Sequence, residues 1–74
     1  MTTVAITEAR HQLAVAIHEH AVALEEWAIA DDQPGAARAV VEAARARRDA
    51  AFERVARATE TLDALERQVI ATPR

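Results

Sequence analysis

Asp31-Asp32-Gln33-Pro34-Gly35 is the one place in this 74-residue chain where a proline and the single glycine meet. On both sides the sequence is periodic and saturated with alanine, twenty in all, and alanine is the strongest helix former. Reading outward from that stretch gives a first helix over about 4–30, a turn at 31–33 and a second helix over about 34–71. The expected fold is all-α, an antiparallel two-helix hairpin of the alanine-rich coiled-coil kind, in one domain spanning 1–74. Helix 2 is the longer, 38 residues by this reading, or about 57 Å.

The ends fit. Thr3 or Thr7 can cap the first helix through its hydroxyl, and Glu8 suits the positive end of the dipole. Asp31 and Asp32 are ill placed at the negative end of helix 1 and serve better as caps for helix 2. Pro34 then occupies the first turn of helix 2, where its missing N–H costs nothing, and no further breaker comes before Pro73.

Heptad spacing assigns the faces. On helix 1, Ile6, Arg10, Leu13, Ile17, His20, Leu24 and Trp27 recur in steps of four and three. Small residues flank this seam, Ala9, Ala16, Ala23 and Ala30 on one side and Thr7, Ala14, Ala21 and Ala28 on the other. On helix 2 the seam runs Ala37, Val41, Ala44, Arg48, Ala51, Val55, Ala58, Leu62, Leu65, Val69. Alanine rows predict a close approach of the two backbones. Arg10, His20 and Arg48 are polar seam positions that set register or oligomer state, and Trp27 is structural, packed near Ala37 and Val41.

A turn centred near Asp32 and Gln33 pairs positions whose numbers total about 65, placing Leu24 opposite Val41, Ile17 opposite Arg48, Leu13 opposite Phe52 and Arg10 opposite Val55. Helix 2 then outruns helix 1, and Leu62, Leu65, Val69 and Ile70 project with nothing in the chain to cover them. Leaving such side chains wet forgoes roughly 1.5–3 kcal/mol each. Val15, Val22 and Ile29 form a second apolar stripe on the far side of helix 1. Both sets are candidate partner or oligomer interfaces.

Composition narrows the classes. A chain this short gains only about 3–5 kcal/mol from its core and normally needs disulfides, a metal or self-association. There is no cysteine, which removes disulfides and thiolate chemistry. The formal charge of −3 is uneven: residues 1–33 carry one arginine against six acids, and residues 34–74 carry eight arginines against six acids. An acidic helix folding back on a basic one is self-consistent. All nine basic residues are arginine, the usage of a GC-rich genome, such as that of an actinobacterium or one of its phages. With no basic start followed by an apolar stretch and no apolar run of ~18 residues, neither a signal peptide nor a membrane span is expected. A cytoplasmic protein, or a virion-associated one if phage-encoded, is the expectation.

Catalytic and cofactor motifs are missing. The hydroxyls are six threonines, none in a turn beside a histidine, and one glycine cannot build a phosphate loop. His11 and His18 share a face about 10.5 Å apart, and no histidine pair has the i, i+4 spacing of a helical zinc site. Glu8 and His11 have the Glu-x-x-His spacing of di-metal bundles, and would need Glu53 or Glu60 across an oligomer interface to complete a site. Arg38, Arg45, Arg47, Arg48, Arg54 and Arg57 could track phosphates, but interspersed acids and the lack of stacking aromatics oppose nucleic-acid binding. The role expected for Arg45, Arg47 and Arg48 is to meet Glu19, Glu25 and Glu26.

The sequence therefore predicts a non-enzymatic helical interaction module, without cofactor or metal, acting as a homo-oligomer. A dimer forming a four-helix bundle is favoured, with another protein as further partner. The alternatives are a nucleic-acid-binding hairpin dimer and an oligomeric di-metal carboxylate/His protein.

Overall fold

The computed structural model of the chain describes the backbone of residues 2–71 and the side chains of residues 3–70. Within these, two helices, α1 (Thr2–Asp32) and α2 (Arg38–Ala71), pack side by side in opposite directions, with no strand. They have 31 and 34 residues, so α2 is the longer by three residues. Pro73, expected to stop the second helix, lies outside the described residues.

Alanine carries the helices and leaves the middle thin. The Cα trace extends 63 × 14 × 13 Å with a radius of gyration of 17.1 Å, against about 11 Å for a globular chain of this length. Among the described residues the buried side chains are all alanine: Ala9, Ala16 and Ala23 on α1, Ala44 and Ala51 on α2. Ala44 and Ala51 are only 2% and 1% exposed. Beside them Ile6, Leu13, His20 and Trp27 on α1, and Val41, Arg48, Val55 and Leu62 on α2, are half-buried. Each helix thus presents one row of small and one row of larger residues to its neighbour.

The connection differs from the expected one, for a local reason. The Ala36 N–H donates to the Gln33 carbonyl at 3.2 Å, and Gly35 has φ +76°. Pro at the second position and a left-handed Gly at the third define a type II turn. Pro34 is therefore a turn residue rather than the first residue of a helix. Helix α1 continues through Asp31 and Asp32, which cap nothing and end it with two negative charges. The Ala37 carbonyl accepts the first bonds of α2, from Val40 N–H at 3.0 Å and Val41 N–H at 3.2 Å. At the other end α1 starts at Thr2, so Thr7 is interior and its hydroxyl donates to the Thr3 carbonyl at 3.0 Å.

Lengthening α1 by two residues and the connection by two shifts the register. Cross-helix pairs are Arg10 with Glu66, Glu26 with Arg47, Trp27 with Arg48 and His20 with Phe52. Their numbers total 72–76 rather than the expected 65 or so. Carried along the heptads, this sets Ala23 opposite Ala51, Ala16 opposite Ala58 and Ala9 opposite Leu65. Helix α1 then reaches almost to the end of α2, and the expected overhang disappears. Leu62 and Leu65 are half-buried; of the four residues expected to project, only Val69 and Ile70 are exposed.

Helix α1 is also rotated from its expected orientation. The row Ala9, Ala16, Ala23 faces α2, and the row Arg10, Ile17, Leu24 does not. Both rows flank Ile6, Leu13, His20 and Trp27 at heptad spacing, so either completes a seam. The alanine row wins the contact because it lets the backbones approach, with packing gained along the whole length. Arg10 consequently lies beside the intrachain seam, whereas His20 and Arg48 lie in it.

Candidate functional site

Two long edges run along the hairpin where the helices meet, and they differ in chemistry. One edge is polar. Glu26 and Arg47 stand 4.0 Å apart across it, and shallow grooves of about 320 and 350 Å³ lie along it, one bordered by Glu19, Glu26, Arg47 and Arg54, the other by Gln12, Thr61 and Leu65. Of the arginines expected to meet helix 1 carboxylates, Arg47 does so; both partners are exposed, which limits the pair to about 0.2–1 kcal/mol. Arg48 turns to Asp49 at 2.9 Å and to the Trp27 ring instead.

The opposite edge is apolar at its centre. Ile17 and Phe52 are 52% and 59% exposed, and Leu24, one heptad on from Ile17, is exposed too. The Phe52 ring lies 5.6 Å from the His20 ring at 54°, a tilted geometry that suits the ring quadrupoles. Charged groups close this patch at one end, where Arg10 Nη2 donates to Glu66 Oε2 at 3.5 Å. On the α1 side it is bordered by Ala14, Ala21 and Ala28, all exposed.

Ala14, Ile17, Ala21, Leu24 and Ala28 recur in steps of three and four. They form a second seam of the same small-and-large design as the one buried against α2. Reading Ile17 and Leu24 as the intrachain seam, and Phe52 as the partner of Leu13, hid this face. The signal was present in the sequence, because two rows of alanine flank the large row and only one can meet α2.

Val15, Val22 and Ile29 of the expected outer stripe are exposed, and Val22 borders the groove that Arg47 and Arg54 line from α2. His11, His18, Glu25 and Gln12, Glu19, Glu26 flank them. Glu8 accepts a hydrogen bond from Gln12 Nε2 at 2.9 Å, one turn on. Among the described residues no three His, Asp or Glu side chains converge as a metal site would require. Arg38 pairs with Glu42 at 3.1 Å within α2, so α2 alternates charge along its face rather than presenting a continuous cationic strip. No described helix is long and apolar enough to cross a membrane. Compared with family models, curated proteins and solved structures, the chain matches none.

Proposed function

We propose that this chain is a non-enzymatic helical interaction module that works as a homo-oligomer, an adaptor or assembly factor presenting helix faces to another protein. One observation carries the reading: among the described residues every buried side chain is an alanine, while Ile17, Leu24, Val22, Ile29 and Phe52 are exposed. Alanine burial contributes little area, so the hairpin retains few of the contacts that offset chain entropy. Its accessible surface is 5754 Å² for 8.1 kDa, against about 4,500 Å² for a compact monomer of that mass. The excess exceeds the ~800 Å² that each partner contributes to a standard interface. The stripe of Val15, Val22 and Ile29, on the other side of α1, is the face this reading leaves for a different protein.

Sedimentation and thermal melting across a hundred-fold range of protein concentration test it. A mass at a multiple of 8.1 kDa and a Tm that climbs with concentration are expected, because association stabilises by mass action. A monomer that melts cooperatively at a concentration-independent Tm would refute it.

A further inference from the structure

We infer that the occupant of the Ile17–Leu24–Phe52 face is a second copy of this chain, docked with its α1 antiparallel to the first α1 about a two-fold axis at Ala21. The inference rests on the self-association proposed above and specifies its geometry.

The first support is the sequence of the face itself, which is self-complementary. Run antiparallel about residue 21, the small row sets Ala14 against Ala28 of the second copy and Ala21 against Ala21. This repeats the alanine-on-alanine design already used between α1 and α2. The larger row sets Ile17 against Leu24 of the second copy. The same row continues to Arg10 at one end and Asp31 at the other, both on α1 and both exposed. Arg10 therefore meets Asp31 of the second copy, and symmetry makes the pair twice. A parallel arrangement would set Arg10 beside Arg10 and Asp31 beside Asp31, like charges that oppose it.

The second support is geometric. The seam against α2 and the seam through Ala14–Ala28 are separated by roughly 100° around α1, near the right angle at which a four-helix bundle sets adjacent helices. Between the two lie the rows Ile6, Leu13, His20, Trp27 and Arg10, Ile17, Leu24, which carry the large apolar side chains Ile6, Leu13, Ile17, Leu24 and Trp27. In a two-fold bundle that pair points to the common centre, and Phe52 of each copy joins it from α2. Ile17 and Leu24 do not face α2 because their place is the middle of four helices.

The absence of cysteine makes a crosslinking test clean. The variants are Ala21→Cys, on the axis, and Val22→Cys, one residue on and turned away from it. Under mild oxidation Ala21→Cys should form covalent dimer at least ten-fold faster than Val22→Cys, with the wild-type mass dimeric. Ile17→Glu with Leu24→Glu should lower that mass to a monomer, while Val22→Glu leaves it unchanged. A dimeric wild type in which Val22→Cys crosslinks as fast as Ala21→Cys, or in which Ile17→Glu with Leu24→Glu stays dimeric, overturns this interface and leaves self-association standing. A monomeric wild type at all concentrations overturns both and assigns the face to a different protein.

Discussion

The Arg48 guanidinium carbon lies 4.4 Å from the centroid of the Trp27 ring, at the turn end of the hairpin. The same guanidinium donates from Nε and Nη2 to Asp49 Oδ1 at 3.1 and 2.9 Å. A charge placed in a helix seam is costly unless its head is satisfied. Here the stem lies along the seam, the head is neutralised by Asp49, and the ring face supplies attraction that a methyl surface would not. Trp27 and Arg48 together fix which turn of α1 meets which turn of α2.

A double-mutant cycle with Trp27→Leu and Arg48→Met isolates this contact. Coupling of about 0.5–2 kcal/mol is expected from urea unfolding at fixed protein concentration, since Arg48 is largely covered. Arg48→Met should also change the fluorescence of Trp27, the only tryptophan. Coupling indistinguishable from zero would mean that the stacking sets no register.

Gly35→Ala tests the turn. A Cβ at Gly35 would meet nothing within 4 Å, so its cost is backbone strain alone. Holding φ +76° costs an L-residue roughly 1–2 kcal/mol. Gly35→Asn, which tolerates the left-handed region, should lose less than Gly35→Ala in Tm. Equal loss from both would indicate that the type II turn is not the stable form of the connection.

Much of this fold is legible in the sequence, and the parts that are not share one cause. Two helices, their antiparallel order and the seam of α2 follow from alanine content, the break expected within Asp31–Gly35 and heptad spacing. The face of α1 does not, because Ile17 and Leu24 are more hydrophobic than Ala16 and Ala23, and hydrophobicity is what periodicity reads. Close packing of two helices selects for smallness instead, a preference that a hydropathy pattern scores as weak. The displaced register follows from Pro34, which suits either a helix's first turn or the second position of a type II turn. Gly35 after it decides for the turn, and that decision moves every pairing along the hairpin.

Helix α2 starts without a side-chain cap, because Ala37 occupies the position whose carbonyl accepts its first bonds. Ala37→Asp should stabilise the fold by about 1 kcal/mol by accepting an otherwise orphan N–H and complementing the helix dipole. Ala37 is exposed, so no packing opposes the change. A higher Tm for Ala37→Asp than for Ala37→Gln is the readout, the latter lacking the short acceptor.

Ala51 sits opposite Ala23 in the tightest part of the contact, at 1% exposure. Ala51→Leu adds volume where the backbones leave none and should cost about 1–3 kcal/mol. Ala50→Leu, one residue earlier and exposed, should cost under 0.5 kcal/mol. If both variants melt together with the wild type, the helices are not held at alanine distance.

Leu65 separates the two registers. On a register totalling about 65 it would project past helix 1, and Leu65→Glu would alter association while leaving helicity intact. In the structure Leu65 is half-buried and borders the groove beside Ala9 and Gln12, so a glutamate there places a carboxylate against α1. Losing the leucine contact and desolvating the charge together cost several kcal/mol, a large share of what so small a core supplies. Leu65→Glu should therefore lose most of its far-ultraviolet helical signal at 37 °C. Val69→Glu, four residues on and exposed, should keep that signal, since its side chain already meets water. Retained helicity in Leu65→Glu would restore the shorter register and free the end of α2 from α1.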